Sequence, residues 1–135
     1  MDAGVRLGED AIRLAKAKTY ATVVTLMPDG RPQAQLTWVD TDGEHILVNS
    51  PASTQRVRNI ARDPRVSVLL VSPTDPMDRV EVRGRVIEVV RGASAAKHID
   101  ELCHQYLGIP YTEINDSDEE RVLLKIAADR VVEPG

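Results

Sequence analysis

The chain reads as a mainly β protein with flanking helices, and the expected architecture is an antiparallel barrel. Strand candidates follow one another through tight turns such as Pro28-Asp29-Gly30 and Asp40-Thr41-Asp42-Gly43. The three helical stretches do not alternate regularly with strands, which argues against a doubly wound parallel sheet. With 42% hydrophobic residues but no Phe, one Trp and three Tyr, the core must be built from Val, Ile, Leu and Ala.

Residues 11–16 are helix formers following Gly8-Glu9-Asp10 and predict a short helix over one barrel opening. Residues 20–27 read as a strand, and residues 31–39 return antiparallel after the glycine turn. On the returning strand Ala34, Leu36 and Trp38 share one face and Gln33, Gln35 and Thr37 the other, so the first face is expected to pack and the second to be polar. The second turn leads into residues 45–49 and extends the meander to three strands, with His45 expected at the surface of a strand end.

A helix carrying Arg56, Arg58 and Arg62 follows, starting at Ser53 or nearby and stopping at Asp63-Pro64, because a residue preceding proline is pushed out of the α region. Its free N-terminal N–H groups favour negative charge. Arg56 and Asn59 share one flank, Val57, Ile60 and Ala61 form the apolar face, and Arg58 with Arg62 reads as plain solvated surface. Residues 65–72 are a nearly continuous apolar strand, and residues 79–91 a long strand whose apolar phase switches, predicting a bulge between 84 and 87. Residues 93–107 form an amphipathic helix ended by Gly108-Ile109-Pro110. An acidic loop over 115–120 then precedes the last clear strand, 121–127, with Val131-Val132 as a final short one.

At 135 residues the expectation is a single domain over 1–135. A net charge of −4 and the lack of aromatic stacking platforms argue against a sequence-independent grip on nucleic acid. No apolar run approaches the roughly 18 residues of a membrane span, and Met1-Asp2-Ala3-Gly4 lacks a signal peptide's character, so a cytoplasmic location is expected. Cys103 is the only cysteine, which excludes an internal disulfide and fits a reducing compartment. Phosphate-loop, zinc-protease, Cys-x-x-Cys and Gly-x-Ser-x-Gly motifs are absent. Cys103 and His104 are adjacent and point about 100° apart on a helix, so no metal site is expected there.

Several motifs in order resemble one family. They are Asp29-Gly30-Arg31-Pro32, Trp38, Leu47-Val48-Asn49-Ser50, Arg56-x-x-Asn59-Ile60-x-Arg62-Asp63-Pro64-Arg65-Val66, Val80-Glu81-Val82-Arg83-Gly84, and Glu120-Arg121-Val122-Leu123-Leu124-Lys125-Ile126. Together they resemble the pyridoxamine 5′-phosphate oxidase-like flavin/deazaflavin family, in particular the actinobacterial coenzyme F420-dependent reductases. The resemblance implies an FMN-binding split β-barrel, homodimeric, with the cofactor in a groove between subunits. It implies F420 as the cofactor, FMN as the alternative, and hydride transfer to a small organic acceptor. A non-catalytic cofactor carrier is the other reading. Arg56 stands where the family places a basic residue on the cofactor phosphate, whereas Thr54 stands where related reductases often carry a second one. Asn49, Ser50, Ser53, Thr54 and Asn59 are then candidate polar contacts, with Gln35 and Trp38 edging the ring. No catalytic side chain is assigned.

Overall fold

The computed structural model describes residues 4–115 and 117–134; the N-terminal residues 1–3, Asp116 of the acidic loop and Gly135 lie outside them. In chain order the elements are α1 (Glu9–Ala15), β1 (Tyr20–Leu26), β2 (Pro32–Trp38), β3 (Asp40–Thr41), β4 (Ile46–Pro51), α2 (Gln55–Arg62), β5 (Arg65–Val71), β6 (Arg79–Arg91), α3 (Ala93–Leu107), a 3₁₀ turn (Tyr111–Glu113) and β7 (Arg121–Val132). The strands form one antiparallel sheet in the order β2-β1-β5-β6-β7-β4-β3.

That order corrects the three-strand meander. β4 pairs with β7, not with the first hairpin. The two edges of the sheet, β2 and β3, are nevertheless joined through the single fully buried residue Val39. The sheet must therefore curl until its edges meet, which gives a split antiparallel barrel rather than an open sheet. The side chains of Ala21, Val23, Val48, Val68, Val82, Leu124 and Ile126 make the core. Helix α1 adds Ala11, Leu14 and Ala15 to the same cluster, as a cover over the barrel requires.

Two local expectations hold for identifiable reasons. Gly30 takes φ +88 in the β1–β2 turn, a conformation that a side chain disfavours. The β6–β7 pairing shifts register between Arg83 and Gly84 and again between Val86 and Glu88, where the apolar phase of β6 switches. Other expectations need correction. β7 runs unbroken to Val132. The faces of β2 are reversed, because Gln33, Gln35 and Thr37 pair across from the buried Thr25, Val23 and Ala21, which points them inward. Leu36 on the opposite face is 69% exposed. Ala61 is likewise exposed, and His45 is buried with Nδ1 3.0 Å from Asp42 Oδ2.

Candidate functional site

Where β4 ends, the chain turns through Pro51 to Thr54 into α2. The cap is Thr54, not Ser53: its hydroxyl accepts the Val57 N–H at 3.4 Å and also reaches the Pro51 carbonyl at 3.1 Å. The Thr54 side chain is thereby committed to starting the helix. Ser53 is exposed, and its hydroxyl donates to Glu119. The helix N-terminus therefore has a carboxylate at its shoulder, which offsets its attraction for a second anion.

One turn into α2, Arg56 is only 6% exposed. Its Nη1 donates to Ser50 Oγ at the end of β4, and its Nη2 lies 3.5 Å from Gln35 Oε1 on the inward face of β2. Nε is buried without a hydrogen-bond partner, and among the described residues no carboxylate lies within ion-pair distance of this guanidinium. Burial, together with the nearby Arg121 charge, lowers its pKa below the usual arginine range. The folded chain holds here a desolvated cation whose hydrogen-bond partners are neutral and whose nearby charge, Arg121, is of the same sign.

Asn59, on the same flank, does a different job. Fully buried, its amide nitrogen donates to Thr25 Oγ1 at 3.0 Å and Gln33 Oε1 at 3.2 Å, and its oxygen accepts from Gln55 and Arg62. It staples α2 to the first hairpin and has no free polar group to offer a ligand.

Trp38 and Asn49 lie on the other face of the sheet, under α3. They line a cavity of about 390 Å³ together with Leu36, Ile99, Tyr111 and Arg121. Trp38 stacks on Tyr106 of α3, ring centroids 5.0 Å apart, and Tyr20 meets the same ring edge-on at 6.0 Å. The Tyr106 hydroxyl donates to Thr19 O at 2.6 Å and accepts the Val39 N–H at 3.0 Å, fastening α3 to the point where the barrel closes; burial pushes its pKa up to about 12. The eight expected residues thus fall into groups: Gln35, Ser50 and Arg56 converge, Ser53 and Thr54 stand beside them at the helix start, Asn59 is structural, and Trp38 with Asn49 borders a second cavity.

Arg121 completes that second cavity, with His98 3.1 Å from the Asn49 amide nitrogen, and neither was foreseen as a site residue. Arg121 Nε donates to Asn49 Oδ1 at 2.9 Å, Nη1 donates to the Tyr111 hydroxyl at 3.0 Å, and its guanidinium lies 5.3 Å from the Tyr111 ring centroid. Arg121 pairs with Pro51 across the β4–β7 ladder, a neighbour hidden in the sequence because it lies 70 positions away. The available signal was an arginine opening a strand directly after an acidic loop.

A family model described as pyridoxamine 5′-phosphate oxidase matches residues 9–133. No match is found among curated proteins. Among solved structures, an F420 reductase is 27% identical with a TM-score of 0.81, over 90% of this chain and 95% of that one. A conserved hypothetical protein of Mycobacterium tuberculosis is 26% identical with a TM-score of 0.72, over 96% and 85%. A Listeria innocua protein described as a candidate pyridoxamine 5′-phosphate oxidase shares the fold at 19% identity and a TM-score of 0.66, over 88% and 90%.

Proposed function

The chain belongs to the pyridoxamine 5′-phosphate oxidase family, and from that premise we propose that it is an oxidoreductase that uses coenzyme F420 to reduce a small organic acceptor. The observation that carries this reading is Arg56. A cation kept 94% out of solvent with one donor unpartnered and no counter-charge costs folding free energy, and a bound phosphate repays that cost with charge-assisted hydrogen bonds. Ser50 and Gln35 hold the guanidinium, so its orientation is set before a ligand arrives. The likeness to an F420 reductase at 27% identity favours deazaflavin over FMN.

When bound, the deazaflavin supplies the hydride chemistry; the protein supplies orientation and a pocket partly shielded from water. Tyr20 and Leu36 leave an apolar patch exposed on the outer face of the β1–β2 hairpin, at 57% and 69%. That patch supports a homodimer with the cofactor between subunits, which sedimentation measurements test directly.

The deciding experiment is a fluorescence titration of purified protein with F420 and, separately, FMN, followed by an acceptor screen. The expected result is F420 binding at least tenfold tighter than FMN, with Arg56→Ala weakening it by about 1.5–3 kcal/mol. Equal affinity in the two proteins would overturn the phosphate assignment. Tight FMN binding with no F420 binding would favour the FMN-dependent reading, and F420 binding without turnover of any acceptor would favour a carrier.

A further inference from the structure

Helix α3 is buried on one side yet stands apart from the barrel core. Ala95, Ile99, Leu102 and Cys103 are at most 4% exposed, but the cluster that fills the barrel contains none of them. Its attachment therefore depends on polar ties at two places: Tyr106 toward one end, and toward the other a chain of hydrogen bonds through His98 whose directions are determined. Asn49 Nδ2 lies 2.9 Å from the Ala95 carbonyl, which can only accept, so the amide nitrogen must face α3 and the amide oxygen must face Arg121. The same nitrogen lies 3.1 Å from His98 Nδ1, which must accept as well. His98 then carries its one ring proton on Nε2, where it donates to Asp40 Oδ2 at 3.0 Å.

A second proton on this imidazole has no place to go. It would sit on Nδ1 and point at the Asn49 amide nitrogen, donor against donor. Turning the amide over accepts that proton but sets the amide oxygen against the Ala95 carbonyl and its nitrogen against the donating Nε of Arg121. Asp40 draws positive charge toward Nε2, yet its other oxygen already takes Lys16 at 2.6 Å and the Thr41 N–H at 2.8 Å. The remaining groups around the junction do not relieve the conflict. Arg121, reaching in from β7, adds a like charge; Tyr106, its pKa pushed up to about 12 by burial, stays neutral; on α3 itself Lys97 pairs with Glu101, and Asp100 with His104 and the Tyr111 N–H. Gly92 and Gly108, at φ +76 and +74, flank the helix as points where the chain can swing without disturbing the sheet.

We propose that α3 is a proton-released cover: neutral His98 holds it on β3 and β4, and protonation of His98 frees the helix as a unit while the barrel stays closed. Release uncovers the Cys103 thiol and parts Tyr106 from Trp38. In the released helix the imidazole meets water and takes up its proton freely, so release is favoured as pH falls. The window is separate from that of Asp40, whose carboxyl titrates below its ordinary 3.8. The device belongs to the fold and holds whichever cofactor the protein binds.

The test uses cofactor-free full-length protein and labels Cys103, the only cysteine, with 4,4′-dithiodipyridine. Dividing the rate in the urea-unfolded chain by the rate in the folded one at each pH gives a protection factor from which the thiol's own titration cancels. Between pH 7.5 and 5.5 that factor is expected to fall about tenfold, which is the uptake of one proton by a freed imidazole of ordinary pKa, about 6.5. The emission of Trp38, the only tryptophan, should change over the same range. His98→Gln, which can still donate to Asp40 but cannot be protonated, should remove the fall. His45→Gln and His104→Gln delete the other two imidazoles and should keep it, so they decide the assignment even where His98→Gln does not fold. A protection factor constant with pH in wild type, a fall that persists in folded His98→Gln, or one abolished by either control would overturn the proposal. Labelling that climbs with urea as steeply as global unfolding would overturn it too, because a cover opens without the barrel. F420 is absent throughout, so these outcomes are independent of the Arg56 titration.

Discussion

At the scale of single residues, the phosphate contact proposed for Arg56 would make a binding group and a stability liability one side chain. Its guanidinium has lost water, meets a second cation in Arg121 and leaves Nε unpaired, so in the ligand-free protein it opposes folding. Arg56→Met keeps much of the length and removes the charge. Thermal or urea denaturation of the ligand-free variant should show a gain of about 1 kcal/mol, and F420, expected to raise the midpoint of wild type, should leave that of the variant unchanged. A destabilised variant would mean that the Ser50 and Gln35 contacts outweigh the desolvation cost. Because a guanidinium does not deprotonate in proteins, the effect should not vary between pH 5 and 9. Thr54 and Asn59 carry the opposite lesson. Both are polar and close to Arg56, yet one is consumed in capping α2 and the other in stapling that helix to β1 and β2.

At the scale of elements, the register of β6 on β7 decides how the long strands bend around the core. Gly84 sits at the first shift, and a Cβ there would lie 1.9 Å from the Ala127 carbonyl oxygen. Neither backbone can retreat without breaking the ladder that flanks it. Gly84→Ala should therefore cost about 3 kcal/mol or more, near the upper end of overpacking penalties, read as a drop in denaturation midpoint; a cost below about 1 kcal/mol would show that the bulge can slide. Helix α3 illustrates attachment by polar groups: Tyr106 holds it to Val39 and Thr19, His98 to Asp40, and Ala95 to Asn49. Its outline was legible from helix formers and a terminal Gly108, which takes the left-handed conformation at φ +74. Its buried face was not, since His98 becomes useful only when β3 and β4 are brought beneath it.

For the whole molecule, Asp40 is the joint where α1's end, β3 and α3 meet, through Lys16, its own strand and His98. Burial pushes its pKa up, but hydrogen bonds from His98 and Lys16 prevail and hold it below the ordinary carboxylate value of 3.8. A carboxyl with a lower pKa folded than unfolded stabilises the fold fully above the unfolded value, and that contribution disappears as pH falls through the folded one. Asp40→Asn should thus cost about 2 kcal/mol at pH 7, the scale of charged hydrogen bonds, and should flatten the stability loss of wild type below pH 4. Denaturation curves at pH 7, 4 and 3 check this, and parallel losses in both proteins would remove Asp40 from the account. Local order was readable in the chain itself: turn glycines, strand periodicity, the Asp63-Pro64 stop and the α3 boundaries each depend on neighbours within a few residues. The arginine at the head of α2 was readable for the same reason. Sheet order, the inward turn of Gln33 and Gln35, the exposure of Leu36, and the meeting of Asn49, His98 and Arg121 depend on which distant strands pair, and pairing is settled by closing one barrel around one core, a condition that no short stretch of sequence can state.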